Sequence, residues 1–237
     1  MNKTEKQDQD PQLQKTPFSE SRFVPMLFSS DMVQAILNGT KTETRRKIDV
    51  YNSLDYLGFI IGDSSRTNHI AFGNRKTSTT EKVLKLKANV GDVIWVRETF
   101  VKYDVVGKNG IETEIEYKAD EPAAKFKWKP SLFMPKIACR IFLKCVSVHV
   151  EKLHYIDEQG AINEGIENLS ADEFKVNLFR NYLRSEKEIN YQDFTTDNPI
   201  LSYQTLWQKI NGKDSWDLNP YVFVYKFERI ERPYDFR

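Results

Sequence analysis

Nine consecutive residues, Gly39 to Lys47 (GTKTETRRK), contain no apolar side chain but three threonines and four cations. Such a stretch can do chemistry. Cations hold a phosphate or carboxylate, and hydroxyls donate or attack. Lys41 beside Arg45, Arg46 and Lys47 can have its pKa depressed until it serves as a base. A solvated turn with nothing to bury has the same composition. A second unusual residue is Glu164, in the last turn of a short predicted helix. There it meets the negative end of the helix macrodipole, which favours its protonated form and suits acid/base work, although surface helices also carry such residues.

Two further stretches have weaker signatures. WVRE, residues 95–98, puts Trp95 and Arg97 on one strand face and Glu98 on the other, as either a substrate-facing arginine or a structural ion pair would require. KFKWKP, residues 125–130, alternates lysines with Phe126 and Trp128, the texture of a single-strand nucleic-acid surface and equally of an amphipathic edge strand. The aromatic row Tyr221, Phe223, Tyr225 and Phe227 reads as core rather than as a base-stacking platform. GxxxxGKS, GxxxxGKT, GxGxxG, GxSxG and HExxH are absent, and His69, His149 and His154 form no metal-ligand pair at helical spacing. NTPase, dinucleotide-oxidoreductase and zinc-hydrolase readings are set aside; neither a metal nor a cofactor is expected.

The elements that must position these residues are partly legible. The chain has 237 residues, 40% hydrophobic and 29% charged, enough for one large domain. Lys and Arg total 35 against 34 Asp and Glu, so any nucleic-acid affinity must come from local clusters. Residues 1–21 are predicted to be a disordered lead-in, and 22–237 a single domain with insertions at about 50–85 and 168–200. A helix is predicted over Asp31–Asn38, capped by Asp31 and ended by Gly39, with a strand in GDVIWVRETF. In CRIFLKCVSVHV the apolar phase flips near Cys145, which predicts a bulge that bends the sheet. Asp157 and Gly165 bracket a short helix. SADE at 170–173 opens a predicted helix running through Phe174, Leu178, Phe179, Tyr182 and Leu183. YQTLWQKING is a helix ended by Gly212, and YVFVYKFERI a strand. The expected class is α+β, with a small, curved, mainly antiparallel sheet. Two cysteines, no apolar N-terminal run and no long apolar window lead to the expectation of a cytoplasmic protein without membrane contact.

Taken together, PMLFSSDMVQAILNGTKTETRR, GDVIWVRETF, KPSLFMPKIACRI, IDEQGAINEGI and LWQKINGKDSWDLNPYVFVYKF resemble the ASCH-domain proteins of phages and prophages, a branch of the PUA-like superfamily. The resemblance spans more than half of the chain. It implies a small β-barrel with flanking helices, and a cleft beside GTKTETRR that binds RNA or a modified nucleoside. Small bacterial members of the family remove the acetyl group from the exocyclic amine of acetylated cytidine with a lysine, a threonine and a glutamate. By the family pattern these fall on Lys41, Thr44 and Glu164. The implied roles are attack by Thr44 Oγ, proton acceptance by Lys41, and orientation or proton shuttling by Glu164. Thr42, Arg45, Arg46, Trp95, Arg97 and Glu98 are the expected substrate or nucleic-acid contacts. This chain is much longer than the small enzymes, and Arg45-Arg46 replaces a less basic sequence. A non-catalytic RNA-binding module and an endoribonuclease therefore remain alternatives.

Overall fold

The computed structural model describes residues 22–51, 53–60, 68–107, 110–120, 126–170, 177–184 and 194–237. The expected lead-in over 1–21 and the start of the SADE helix, 171–176, lie outside them. The fold is α+β, mostly strands in mixed and antiparallel sheets with few helices.

The central sheet has five strands: β1 (Phe23–Leu27), β2 (Glu43–Lys47), β6 (Val93–Arg97), β9 (Phe142–Lys152) and β12 (Tyr221–Ile230). Their order is β1-β6-β9-β12-β2, so β1 and β2 are its edges. The sheet is mixed rather than antiparallel throughout, because β1 runs parallel to β6. Its pairing shifts where Lys226 faces Ser147 and Phe227 faces Cys145, leaving Val146 as the extra residue of a bulge at the expected phase flip. Arg46, on one edge, donates a guanidinium N–H to Leu27 O on the other at 2.7 Å.

Both faces of this sheet are covered. Met26, Ile94, Val96, Leu143, Cys145, Tyr225 and Phe227 form one core with Val33 and Ile36 of α1 (Ser30–Leu37). Val222 and Val224 point the other way, into a core with α2 (Glu158–Asn163) and α3 (Pro199–Asn211). A third cluster joins Val93, Trp95 and Phe142 to Met134 and Phe236.

The helix signals resolve with shifts. Ser29, not Asp31, caps α1, accepting from Met32 N at 3.4 Å; Asp31 lies within the first turn, where a carboxylate meets the positive helix end. Gly39 at φ +78° ends α1 as expected. Asp157 caps α2 through Gly160 N at 2.7 Å, and Asn198 caps α3, which begins at Pro199 and ends at Gly212.

Within residues 50–85, expected as an insertion, β3 (Asp55–Phe59), β4 (His69–Asn74) and β5 (Thr79–Lys85) make an antiparallel sheet. Ile70 and Phe72 of that sheet bury with Ile48 and Leu54 against Val150 and Tyr221. One expectation is corrected: the helix expected to run through Phe179 is absent there. Phe179–Arg180 (β10) pair with Thr195–Thr196 (β11), and Phe179 and Tyr182 both bury against α3 by way of a strand and a turn. A hairpin of β7 (Phe100–Gly107) and β8 (Gly110–Tyr117) extends from the third cluster. Among the described residues no helix is long and apolar enough to cross a membrane.

Candidate active site

The polar stretch after α1 does have something to bury. Lys41, Glu43, Thr44 and Arg45 are each 8% exposed or less. The reason is a close approach of three backbones. Gly165, at φ +79°, follows α2, and a Cβ there would lie 2.7 Å from both Ala35 Cβ and Lys41 Cβ. Only glycine fits, and it lets the α2 terminus press on the segment that leads into β2, where Lys41 and Glu164 form an antiparallel bridge.

The Lys41 ammonium is fully enclosed and donates to Glu164 Oε2 at 2.7 Å, Glu164 O at 2.7 Å and Glu43 O at 2.8 Å. All three of its protons are engaged. It also caps the carbonyl end of α2, the favourable place for a cation. The other oxygen, Glu164 Oε1, accepts from Arg45 N at 2.5 Å and lies 3.4 Å from both the Arg45 guanidinium and the Tyr203 hydroxyl. Arg45 is shared further with Glu43 at 2.5 Å and Glu151 at 3.0 Å, Lys226 reaches Glu43 at 3.5 Å, and His149 pairs with Glu151. Three cations and three carboxylates thus compensate one another.

Burial decides the Lys41 pKa, which the sequence left open. Desolvation lowers it, Glu164 opposes that, Arg46 and Arg45 reinforce it, and the net direction is downward. Burial and Glu164 push Tyr203 well above the ordinary tyrosine value, so its hydroxyl is a stable donor. Burial works against the Arg45 charge, but Glu164 and Glu43 outweigh it.

This cluster floors a cleft of about 330 Å³. Thr44, Glu164 and Tyr203 line it with polar groups, Met32, Phe28, Leu206 and Trp207 with apolar surface, and Ser29, Thr99 and Ser131 add hydroxyls. Arg46 lines it too, with its guanidinium 4.8 Å from the Phe28 ring centroid. Arg46 Nε and Trp207 Nε1 are buried donors with no partner among the described residues. Among the described residues no group of three or more His, Cys, Asp and Glu side chains is arranged to hold a metal ion.

The structure therefore brings Lys41, Thr44, Glu164, Arg45 and Arg46 together and separates the rest. Thr42 is exposed outside the cleft, and its backbone links Asn163 and Phe227. Trp95 is 5% exposed among Phe142 and Phe236. Glu98, 1% exposed, takes a two-pronged contact from Arg140 at 2.9 and 3.0 Å, and Arg140 also holds Asp120; this is the structural ion pair. Arg97 stands beside the cleft, donating to Leu132 O with its guanidinium 5.4 Å from the Trp95 ring. Tyr203, Glu43 and Glu151 were missed. They come from three different elements, and only the folded chain unites them.

No protein-family model, no curated protein and no solved structure matches the chain.

Proposed function

We propose that the chain is an ASCH-type, PUA-like protein that takes a modified nucleoside, free or within RNA, into this cleft and hydrolyses an acyl amide on the exocyclic amine of cytidine. The observation that carries the reading is that Thr44 and Glu164 both line a cleft whose other lining residues include aromatic and aliphatic side chains. Its volume of about 330 Å³ suits one nucleobase with a small acyl group. The same reading takes the central sheet, bent at Val146 and tied edge to edge through Arg46, as a small open barrel. A reducing cytoplasm suits the two free cysteines, Cys139 and Cys145.

This reading gives the roles differently from the family expectation. Lys41 has every donor engaged and is not at the cleft surface, so proton acceptance falls to Glu164, which is. Thr44 Oγ bonds to the amide carbonyl carbon while its proton passes to Glu164. Glu164 returns that proton to the leaving amine nitrogen as the C–N bond breaks, leaving an ester on Thr44. Water, deprotonated by Glu164, then attacks the ester carbon; the bond to Thr44 Oγ breaks, Glu164 returns the proton to that oxygen, and the acid is released. Lys41, Arg45 N and Tyr203 hold the carboxylate in place.

The test is mass spectrometry of cytidine acetylated on its exocyclic amine after incubation with wild type, Thr44→Val and Glu164→Gln. Wild type releases cytidine, and each variant slows this by about 100-fold or more. A wild type without turnover overturns the hydrolase. Retained binding of the same compound would then favour the non-catalytic module, for which the buried, unsatisfied Nε of Arg46 speaks.

A further inference from the structure

The charges around the cleft divide into two groups. Those below its floor are neutralised within the cluster: Lys41, Arg45 and Lys226 face Glu43, Glu151 and Glu164. Those at its side are not. Arg46, Lys87 and Arg97 make no ion pair among the described residues. Arg46 and Arg97 spend a guanidinium N–H each on a backbone carbonyl, Leu27 O and Leu132 O, and both Nε groups are buried donors without a partner. The three belong to one neighbourhood. Leu27 pairs with Arg97 in the β1–β6 ladder, and Lys87, its pKa lowered first by partial burial, is lowered further by Arg46 and Arg97. Its side chain is exposed.

Mutually repelling cations cost stability, and buried donors without acceptors cost more. Both costs fall beside the cleft, which Arg46 itself lines; Trp207 Nε1, an unsatisfied donor, and the hydroxyls of Ser29, Thr99 and Ser131 line it too, and Arg97 and Lys87 flank Arg46. Every unmet demand there is for an acceptor, and the net charge asks for an anion. The ordinary surplus of a protein surface mixes unmet donors with acceptors and scatters its charges. The N-terminus of α1, at Ser29, opens onto the same wall and favours negative charge, although Asp31 in its first turn offsets part of this.

We infer that this wall is a phosphate subsite, formed by Arg46, Lys87 and Arg97, and that the cleft's substrate is a nucleotide rather than a nucleoside. The inference rests on the nucleoside reading of the cleft and specifies its substrate class. A phosphate monoester or diester presents acceptors only, so it answers the unpaired donors and compensates the three charges at once. The base then lies toward Thr44 and Glu164, with the sugar against Phe28 and Met32.

The two claims separate in one titration series at low salt. Cytidine, cytidine 5′-monophosphate and a short oligocytidylate are titrated into wild type, Lys87→Ala, Arg97→Gln and the control Lys102→Ala, whose lysine is exposed on β7. The monophosphate is expected to bind about tenfold or more tighter than cytidine. That ratio drops toward one in Lys87→Ala and Arg97→Gln, survives in Lys102→Ala, and shrinks in wild type as salt rises. Tighter binding of the oligonucleotide than of the monophosphate assigns the subsite to a diester within RNA; the reverse assigns it to a free nucleotide. Equal affinities for cytidine and its monophosphate overturn the phosphate subsite while leaving the nucleoside reading standing. Failure of all three to bind overturns both.

Discussion

Lys41 and Glu164 meet twice, once as backbone partners in a β-bridge and once through a 2.7 Å contact between ammonium and carboxylate. The bridge sets the distance between the chains, so the ion pair forms without further ordering of either side chain. Removing one partner leaves the other buried and charged, which costs about 3–5 kcal/mol. Lys41→Met and Glu164→Gln are each expected to lower the unfolding free energy by that amount in urea titrations. A loss under 1 kcal/mol would mean that the pair is not enclosed.

The same lysine predicts a pH effect. Its folded pKa lies below the ordinary value of 10.5, mainly through burial. Between the lowered pKa and 10.5 the unfolded chain therefore holds more protons than the folded one, and stability from this group rises with pH across that window. The difference in unfolding free energy between wild type and Lys41→Met should widen as pH climbs toward 10.5. A constant difference would contradict a lowered pKa.

Gly165→Ala tests the backbone approach. Both its φ of +79° and the 2.7 Å separations from Ala35 Cβ and Lys41 Cβ forbid a side chain. The expected cost is about 2–4 kcal/mol, read by thermal and chemical denaturation. Ala35→Gly in the same chain should recover part of it by relieving one of the two clashes; a double variant no better than the single would place the strain elsewhere.

Much of this was legible and part was not, for physical reasons. Gly39, Asp157, Gly165 and Gly212 act locally, through φ or one side-chain hydrogen bond, so their signals survive without tertiary context. The Cys145 phase flip was readable because a bulge changes which residues share a face. The β3–β5 sheet was hidden because Ile70 and Phe72 are the only buried apolar side chains of its three strands, a pattern two residues long set in polar sequence. The site was half visible: Lys41, Thr44 and Glu164 stood out. The burial of the polar stretch did not, because Glu43 and Arg45 find their partners on β9, β12 and α2.

Glu98 and Trp95 are expected to serve stability alone. Arg140→Leu strands the Glu98 carboxylate, which burial already raises above the ordinary value against the pull of Arg140, and should cost about 3 kcal/mol. Trp95→Phe should cost about 1–2 kcal/mol. Calorimetric titration with cytidine 5′-monophosphate should give unchanged affinity for both variants; a tenfold loss would return these residues to the binding surface.

The cysteines offer an opening probe. Cys139 and Cys145 are buried, and burial pushes both thiols up to about 11. In native buffer at pH 8 neither should react with iodoacetamide on the scale of hours, whereas in urea both should within minutes. Rapid native labelling of Cys145, which sits in the main core, would show that the sheet opens.

An exposed sheet margin invites a second chain to add itself as another strand. Both margins here are blunted. On β1 the odd-numbered residues face outward, since Phe28 N bonds Arg97 O and Val93 N bonds Arg22 O on the inner side. Of those outward positions, Pro25 has no N–H to offer, and the Leu27 carbonyl is occupied by Arg46. On β2 the exposed Lys47 puts a charge on the margin, which disfavours strand addition. By occupying the Leu27 carbonyl, Arg46 therefore also closes that margin to a further strand.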